Sequence, residues 1–136
     1  MAAAFVGSWK LTESEKFDDF LKELGVNMVL RKFAQAATPT VNISNEGDKW
    51  KIETITTMKT SLIEFKMGEE FLEKRLDGNE VRSVMTMDGN KMIQKQFADE
   101  AKKLKEVTIT RWIDGNRLLV EAAVSDIVST RKYDRQ

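Results

Sequence analysis

Residues 106–133 read EVTITRWIDGNRLLVEAAVSDIVSTRKY, and this stretch decides the fold. Glu106–Ile113, Arg117–Val124 and Ile127–Tyr133 are short runs rich in Val, Ile, Thr and Leu, residues that suit a pleated, half-buried surface. Asp114-Gly115-Asn116 separates the first two and reads as a hairpin turn, because Asp, Gly and Asn tolerate positive φ. Successive strands with tight connections make an antiparallel meander.

The same punctuation recurs outward from this stretch. Glu46-Gly47-Asp48, Asp77-Gly78-Asn79 and Asp88-Gly89-Asn90 read as further turns. Between them lie strand candidates at Thr40–Asn45, Lys49–Thr56, Ser61–Lys66, Val81–Met87 and Lys91–Phe97, with one more near Val6–Leu11. This many strands of even length in 136 residues predict an all-β closed barrel. Only residues 16–37 break the pattern. Phe17, Phe20, Leu21 and Leu24 fall at i, i+3, i+4 and i+7, one helical stripe. Asp18 and Asp19 sit in its first turn, where carboxylates suit the helix dipole, and Gly25 is placed to end it. Asn27 can cap a second helix whose Leu30, Phe33, Ala34 and Ala37 repeat the spacing, and Pro39 enforces an extended exit. The expectation is one domain over residues 1–136, with a helix pair at about 16–37.

Composition removes whole chemistries. Lysine plus arginine count 22 and aspartate plus glutamate count 22, a balance that argues against a nucleic-acid binder resting on phosphate neutralisation. The absence of cysteine excludes disulfides, thiolate nucleophiles and zinc–sulfur sites. The absence of histidine excludes a Ser–His–Asp triad and imidazole metal ligands. No metal and no cofactor are expected. Asp77 and Tyr133 are acid–base groups without a supporting constellation, so the chain is not read as an enzyme. No apolar stretch approaches the ~18 residues of a membrane span. Residues 1–10 carry no basic segment followed by a long apolar run, so no secretory leader is expected.

Strand parity locates the polar groups of interest. Val107, Ile109, Arg111 and Ile113 share one face, as do Ile127, Ser129, Arg131 and Tyr133, because side chains alternate with period two. Leu118, Val120, Ala122 and Val124 form an apolar row on the strand between them. If these faces line the interior, two guanidiniums and a phenol are enclosed by hydrocarbon. An enclosed guanidinium keeps its charge, and a planar carboxylate is its natural partner, accepting paired N–H bonds while tyrosine donates an O–H. The alternative stays open at this point: each arginine sits at a barrel edge, stem on apolar surface and head in water.

The motif Phe5-Val6-Gly7-Ser8-Trp9-Lys10-Leu11, followed by Phe17-Asp18-Asp19-Phe20-Leu21, resembles the opening signature of the intracellular lipid-binding proteins, most nearly the cytosolic fatty-acid-binding proteins of heart, adipocyte and myelin type. Ser129-Thr130-Arg131-Lys132-Tyr133 resembles their carboxylate-binding Arg-x-Tyr, and Arg111 lies at the spacing of its partner arginine. Gly25-Val26, Arg31-Lys32, Gly47-Asp48, Phe65-Lys66, Gly68-Glu69-Glu70-Phe71 and Asp88-Gly89 extend the likeness over nearly the whole chain. The resemblance implies a ten-stranded antiparallel up-and-down barrel of calycin type, lidded by the helix pair, holding one long-chain fatty acid with its carboxylate on Arg111, Arg131 and Tyr133. It implies a monomeric cytoplasmic carrier. A retinoic-acid carrier and a lipid-gated interaction or nuclear-delivery module are the alternatives.

The resemblance also implies that Phe17, Leu21, Val26, Ala34, Pro39, Thr54, Met58, Leu76, Asp77, Val120 and Ala122 line the cavity or its entrance. For the apolar members, simple core packing is the competing reading. Lys22, Arg31 and Lys32 resemble a basic patch that acts in some relatives as a ligand-gated nuclear signal, and a basic helix face also attracts anionic membranes. The competing reading is an ordinary solvated face. Three departures stand out. Lys16 replaces a small or amide residue, Met58 occupies a portal position that is often phenylalanine, and Ala98–Lys105 is longer than the corresponding hairpin and reads as an extended polar loop. By parity Trp112 points outward, opposite Arg111, and Trp9 belongs to the closed end.

Overall fold

The computed structural model describes residues 2–75 and 78–136. After a single 3₁₀ turn (Ala2–Phe5) come strand β1 (Gly7–Glu15) and helices α1 (Phe17–Glu23) and α2 (Met28–Ala36). Nine further strands follow: β2 (Thr40–Glu46), β3 (Lys49–Ile55), β4 (Thr60–Lys66), β5 (Glu70–Lys74), β6 (Glu80–Asp88), β7 (Lys91–Gln96), β8 (Val107–Asp114), β9 (Arg117–Val124) and β10 (Ile127–Arg135). They form one antiparallel sheet in the order β4-β3-β2-β1-β10-β9-β8-β7-β6-β5, a nearly closed barrel. β1 pairs with β10, so the two ends of the chain knit the sheet, and β4 and β5 are its two edges. Among the described residues no helix is long and apolar enough to cross a membrane.

Two apolar clusters divide the interior. The closed end is filled by residues such as Phe5, Trp9, Trp50, Phe65, Met85, Met92 and Leu118. Trp9 is fully buried and its indole N–H donates to the Phe5 carbonyl at 3.0 Å, so the polar edge of the ring is satisfied inside the core. Phe65 stacks between Trp50 and Phe71. The lid end joins Phe20, Leu21 and Val26 from the helical segment to Val107, Ala122 and Val124 from the sheet.

The helix pair follows its stripes with one exception. α1 buries Phe20 and Leu21 and closes with a Schellman arrangement: Val26 N–H donates to Leu21 O and Gly25 N–H to Lys22 O, both at 3.0 Å. Gly25 adopts φ +89° to make that turn, where a side chain would be strained. Asn27 caps α2 by accepting the Leu30 N–H at 3.0 Å. The exception is Phe33, which the spacing places on the buried stripe. It is 49% exposed, because α2 rests on α1 at the rim and only Leu30 and Ala34 reach the lid-end cluster.

Two other segments differ from the sequence reading. β5 does not stand out in the sequence, because five residues with charges at both ends carry little strand signal; its pairing to β6 runs from Glu70↔Val84 to Lys74↔Glu80. The segment 98–105 is an ordered small hairpin: Asp99 and Leu104 exchange backbone hydrogen bonds at 3.0 and 2.8 Å, and Leu104 is buried.

Candidate functional site

The sheet register brings the arginines into line. Arg111 on β8 pairs with Val120 on β9, and Val120 pairs in turn with Arg131 on β10. The two arginines therefore occupy one row across three strands, roughly 10 Å apart at the backbone given the usual interstrand spacing. Tyr133 lies on the same face as Arg131, one inward step along β10, opposite Leu118. Arg131 and Tyr133 are both 7% exposed.

Arg111 lines a cavity of about 410 Å³, within the range of roughly 300–1,000 Å³ usual for small-molecule sites. Its guanidinium donates to Gln94 Oε1 at 2.8 Å and also lies 4.0 Å from Met85 Sδ. Burial pulls Arg111 below the ordinary arginine value, while the negative charge of Glu73 works in the opposite direction. The guanidinium stays protonated in any case. Glu73 on β5 is the acid behind this arrangement: its Oε1 accepts from Ser83 Oγ at 2.6 Å, Gln94 Nε2 at 2.5 Å and Gln96 Nε2 at 3.2 Å. Gln94 thus couples the two charges through its amide, accepting from one and donating to the other. Among the described residues no carboxylate lies within ion-pair distance of Arg111 or Arg131.

Arg131 is placed differently. Its guanidinium carbon sits 3.8 Å from the centroid of the Phe17 ring, which itself stacks on Phe20. Phe17 forms part of the cavity wall, so Arg131 lies behind that ring. The Nε of Arg131 and the Oγ of Ser129, two residues earlier on the same face, are buried without hydrogen-bond partners among the described residues.

Of the lining set expected from the sequence, Phe17, Leu21 and Thr54 face the cavity beside Arg111. Val26 and Ala122 are packed into the lid-end cluster, Ala34 lies half-buried against it, and Val120 packs on the closed-end cluster. Pro39 is buried, with its carbonyl accepting from the Leu11 N–H. Met58 is 69% exposed in the turn between β3 and β4. Leu76 and Asp77 lie outside the described residues. Of the basic helix residues, Lys22 and Lys32 are exposed, whereas Arg31 donates to Asp18 Oδ1 at 3.1 Å and to the Val26 carbonyl at 2.8 Å, tying α2 to α1. Trp112 points outward, with Lys91 Nζ 5.0 Å from its ring centroid.

The residues missed by sequence reasoning are the polar inward row of β5–β7: Glu73, Ser83, Gln94 and Gln96. A signal was present. Ser83, Gln94 and Gln96 fall on the face shared with Val81, Met85 and Met92, so their parity already pointed inward.

The model of the lipocalin / cytosolic fatty-acid binding protein family matches residues 6–136. A fatty acid-binding protein of Tyrophagus putrescentiae is 47% identical over 131 residues, covering 96% of each chain. A solved fatty acid binding protein of Schistosoma mansoni, in complex with arachidonic acid, superposes with a TM-score of 0.92 at 36% identity, covering 98% of this chain and 97% of that one. The ligand-free structure of a Caenorhabditis elegans lipid binding protein superposes with a TM-score of 0.96 at 29% identity, covering 100% of this chain and 98% of that one.

Proposed function

The chain belongs to the lipocalin / cytosolic fatty-acid binding protein family, and from that membership we propose that it is a non-catalytic cytoplasmic carrier of one long-chain fatty acid, whose carboxylate is held by Arg111, Arg131 and Tyr133. The observation that carries this reading is the pair of guanidiniums inside the barrel, in one row, with no carboxylate of the described residues in direct contact. A charge held in such surroundings is costly unless a counter-charge arrives, and a carboxylate supplies one with matching fork geometry. Phe17 covers Arg131, so engagement of the acid requires that ring to move aside. The relatives named above support a fatty acid over other anions.

The hydrocarbon supplies most of the affinity. Burial gives about 0.8 kcal/mol per methylene, so about fifteen groups contribute on the order of 12 kcal/mol before ordering costs. With the headgroup contribution and those costs included, the net binding free energy falls at roughly −8 to −12 kcal/mol, micromolar to nanomolar. The test is displacement of a fluorescent fatty acid by oleate, by the alcohol of equal length and by retinoic acid. In Arg131→Ala oleate should weaken more than the alcohol. Equal losses would refute the assignment of the headgroup, and displacement by retinoic acid in preference to oleate would make the ligand a retinoid.

Delivery to membranes is the second reading, favoured by Met28, Val29 and Phe33 standing exposed on α2 beside Lys32. Apolar side chains flanked by lysine suit contact with an anionic surface. Lys22, Arg31 and Lys32 together form the basic face proposed for docking or for nuclear delivery, with Arg31 also holding the two helices together. Lys22→Glu with Lys32→Glu should slow transfer of a fluorescent fatty acid to anionic vesicles. Unchanged transfer rates would remove membrane docking from the account.

A further inference from the structure

Glu73 is the one acid among the described residues that line the cavity. It sits on β5, where side chains alternate between the two faces: Phe71 and Glu73 are half-buried, whereas Leu72 between them is exposed. All three of its protein donors go to one oxygen, Oε1, from Ser83 Oγ at 2.6 Å, Gln94 Nε2 at 2.5 Å and Gln96 Nε2 at 3.2 Å. Ser83, Gln94 and Gln96 are themselves buried in the barrel wall, so that oxygen is turned to the wall. The other oxygen, Oε2, accepts from no described residue, and no described cation lies within ion-pair distance of the group. The carboxylate is thus fixed through one oxygen on a side chain that lines the cavity, and keeps acceptor capacity on the other.

We propose that Glu73 is a hydroxyl-recognising residue, and that it selects long-chain acids carrying a hydroxyl group on the carboxylate half of the chain. The inference deepens the carrier reading above and rests on it. With the headgroup at Arg111, Glu73 lies one amide farther on, across Gln94, roughly 7 Å from the guanidinium. A hydroxyl near the sixth carbon of an extended chain falls at about that distance. An ionised carboxylate is an acceptor only, so a ligand O–H donates to Oε2 while a ketone at the same carbon brings lone pairs against it and stays unpaired. Hydrogen bonds to a charged group are the stronger kind, which makes the difference between the two ligands large. The donor must also be neutral. A second carboxylate is repelled by Glu73, and an ammonium is repelled by Arg111 nearby.

Four ligands on the unmodified protein test this, each displacing a fluorescent fatty acid: hexadecanoic acid, its derivatives with a hydroxyl or a ketone on the sixth carbon, and the derivative with a hydroxyl on the terminal carbon. The hydroxyl should bind about tenfold more tightly than the ketone at the same carbon, equal to about 1.4 kcal/mol. The terminal hydroxyl should bind no more tightly than hexadecanoic acid. In Glu73→Gln the amide carbonyl serves the three wall donors and an NH₂ group replaces Oε2, turning an acceptor into a donor. There the ketone should bind at least as tightly as the hydroxyl. This reversal is a ratio within one protein, so a general loss of stability does not produce it. Equal affinity for hydroxyl and ketone in the unmodified protein overturns the inference with no variant required. A hydroxyl preference that survives Glu73→Gln overturns the role of Glu73, and a terminal hydroxyl favoured as much as the inner one overturns its placement. If hexadecanoic acid itself fails to displace the probe, the carrier reading falls, and this inference with it.

Discussion

Glu73→Gln separates the two roles that the half-buried acid plays. Its three donors, from Ser83, Gln94 and Gln96, all point at the same oxygen, Oε1. A glutamine can present its carbonyl oxygen to all three, so the hydrogen-bond pattern survives and only the charge is lost. What that charge stabilises is Arg111, which it reaches through the Gln94 amide. That path sets carboxylate and guanidinium roughly 7 Å apart, and an effective dielectric constant of ~20 gives about 2.4 kcal/mol of attraction. The ligand-free protein should therefore lose about 2 kcal/mol in urea unfolding, equivalent to roughly 6–10 °C in thermal midpoint for a chain of this size. Fatty-acid affinity should move the other way. The incoming carboxylate no longer shares Arg111 with a like charge, and its Kd should tighten by about tenfold. Urea titration of delipidated protein and displacement of a fluorescent fatty acid read the two effects separately. A variant of unchanged stability, or one in which fatty-acid affinity falls along with stability, would refute the coupling through Gln94.

Three further outcomes follow from the lid. Phe17→Leu removes the ring over Arg131, an interaction of about 1–2 kcal/mol in a desolvated site that the carboxylate must displace, so fatty-acid Kd should tighten by about tenfold in probe displacement; an unchanged Kd would show that the ring does not compete for Arg131. Lys16 holds φ +59° at the start of α1, with no side-chain cap, so Lys16→Gly should raise the stability by about 0.5–1 kcal/mol, measurable as a higher urea midpoint. Glu23 on α1 accepts from Lys105 Nζ and, at 2.9 Å, from Ser125 Oγ, and these contacts hold its carboxyl below the usual carboxylate range. A lowered folded-state value means that its stabilisation is present above the unfolded value of about 4.3 and is lost as pH falls through the folded value. Glu23→Gln should accordingly flatten the fall in melting temperature on acidification below about pH 5, and an unaltered acid limb would show that this tie contributes nothing.

Much of the site was legible because strand parity is a local rule. Arg111 shares a face with Val107, Ile109 and Ile113, and Arg131 with Tyr133, by alternation alone; parity left the barrel edge open as their place, and the structure sets both arginines on one row. The same rule turned Trp112 outward. Illegible from the sequence was whatever depends on which strands become neighbours. Glu73 acquires its meaning only when β5, β6 and β7 are laid side by side, and β5 is too short and too charged to stand out. The helical stripe overreached at Phe33 for a related reason: periodicity names a face but not what lies opposite it, and α2 has only α1 and the rim beneath it. Ala98–Lys105, polar enough to read as an open loop, is closed by the Asp99–Leu104 pair and by the burial of one leucine.

The central claim is that an acid headgroup sits between buried guanidiniums, and its own ionisation reports this. Oleate labelled with ¹³C at the carboxyl carbon, bound to the protein and followed by NMR across falling pH, gives the titration of that one atom. Opposite charges close by favour the ionised form, so the bound resonance should stay at its carboxylate position through the range of about pH 4–5 in which an exposed carboxyl titrates. In Arg131→Ala the midpoint should climb back toward that range. A bound headgroup in the unmodified protein that protonates at or above the value for an exposed carboxyl would place it in water or in bare hydrocarbon, and would contradict the account.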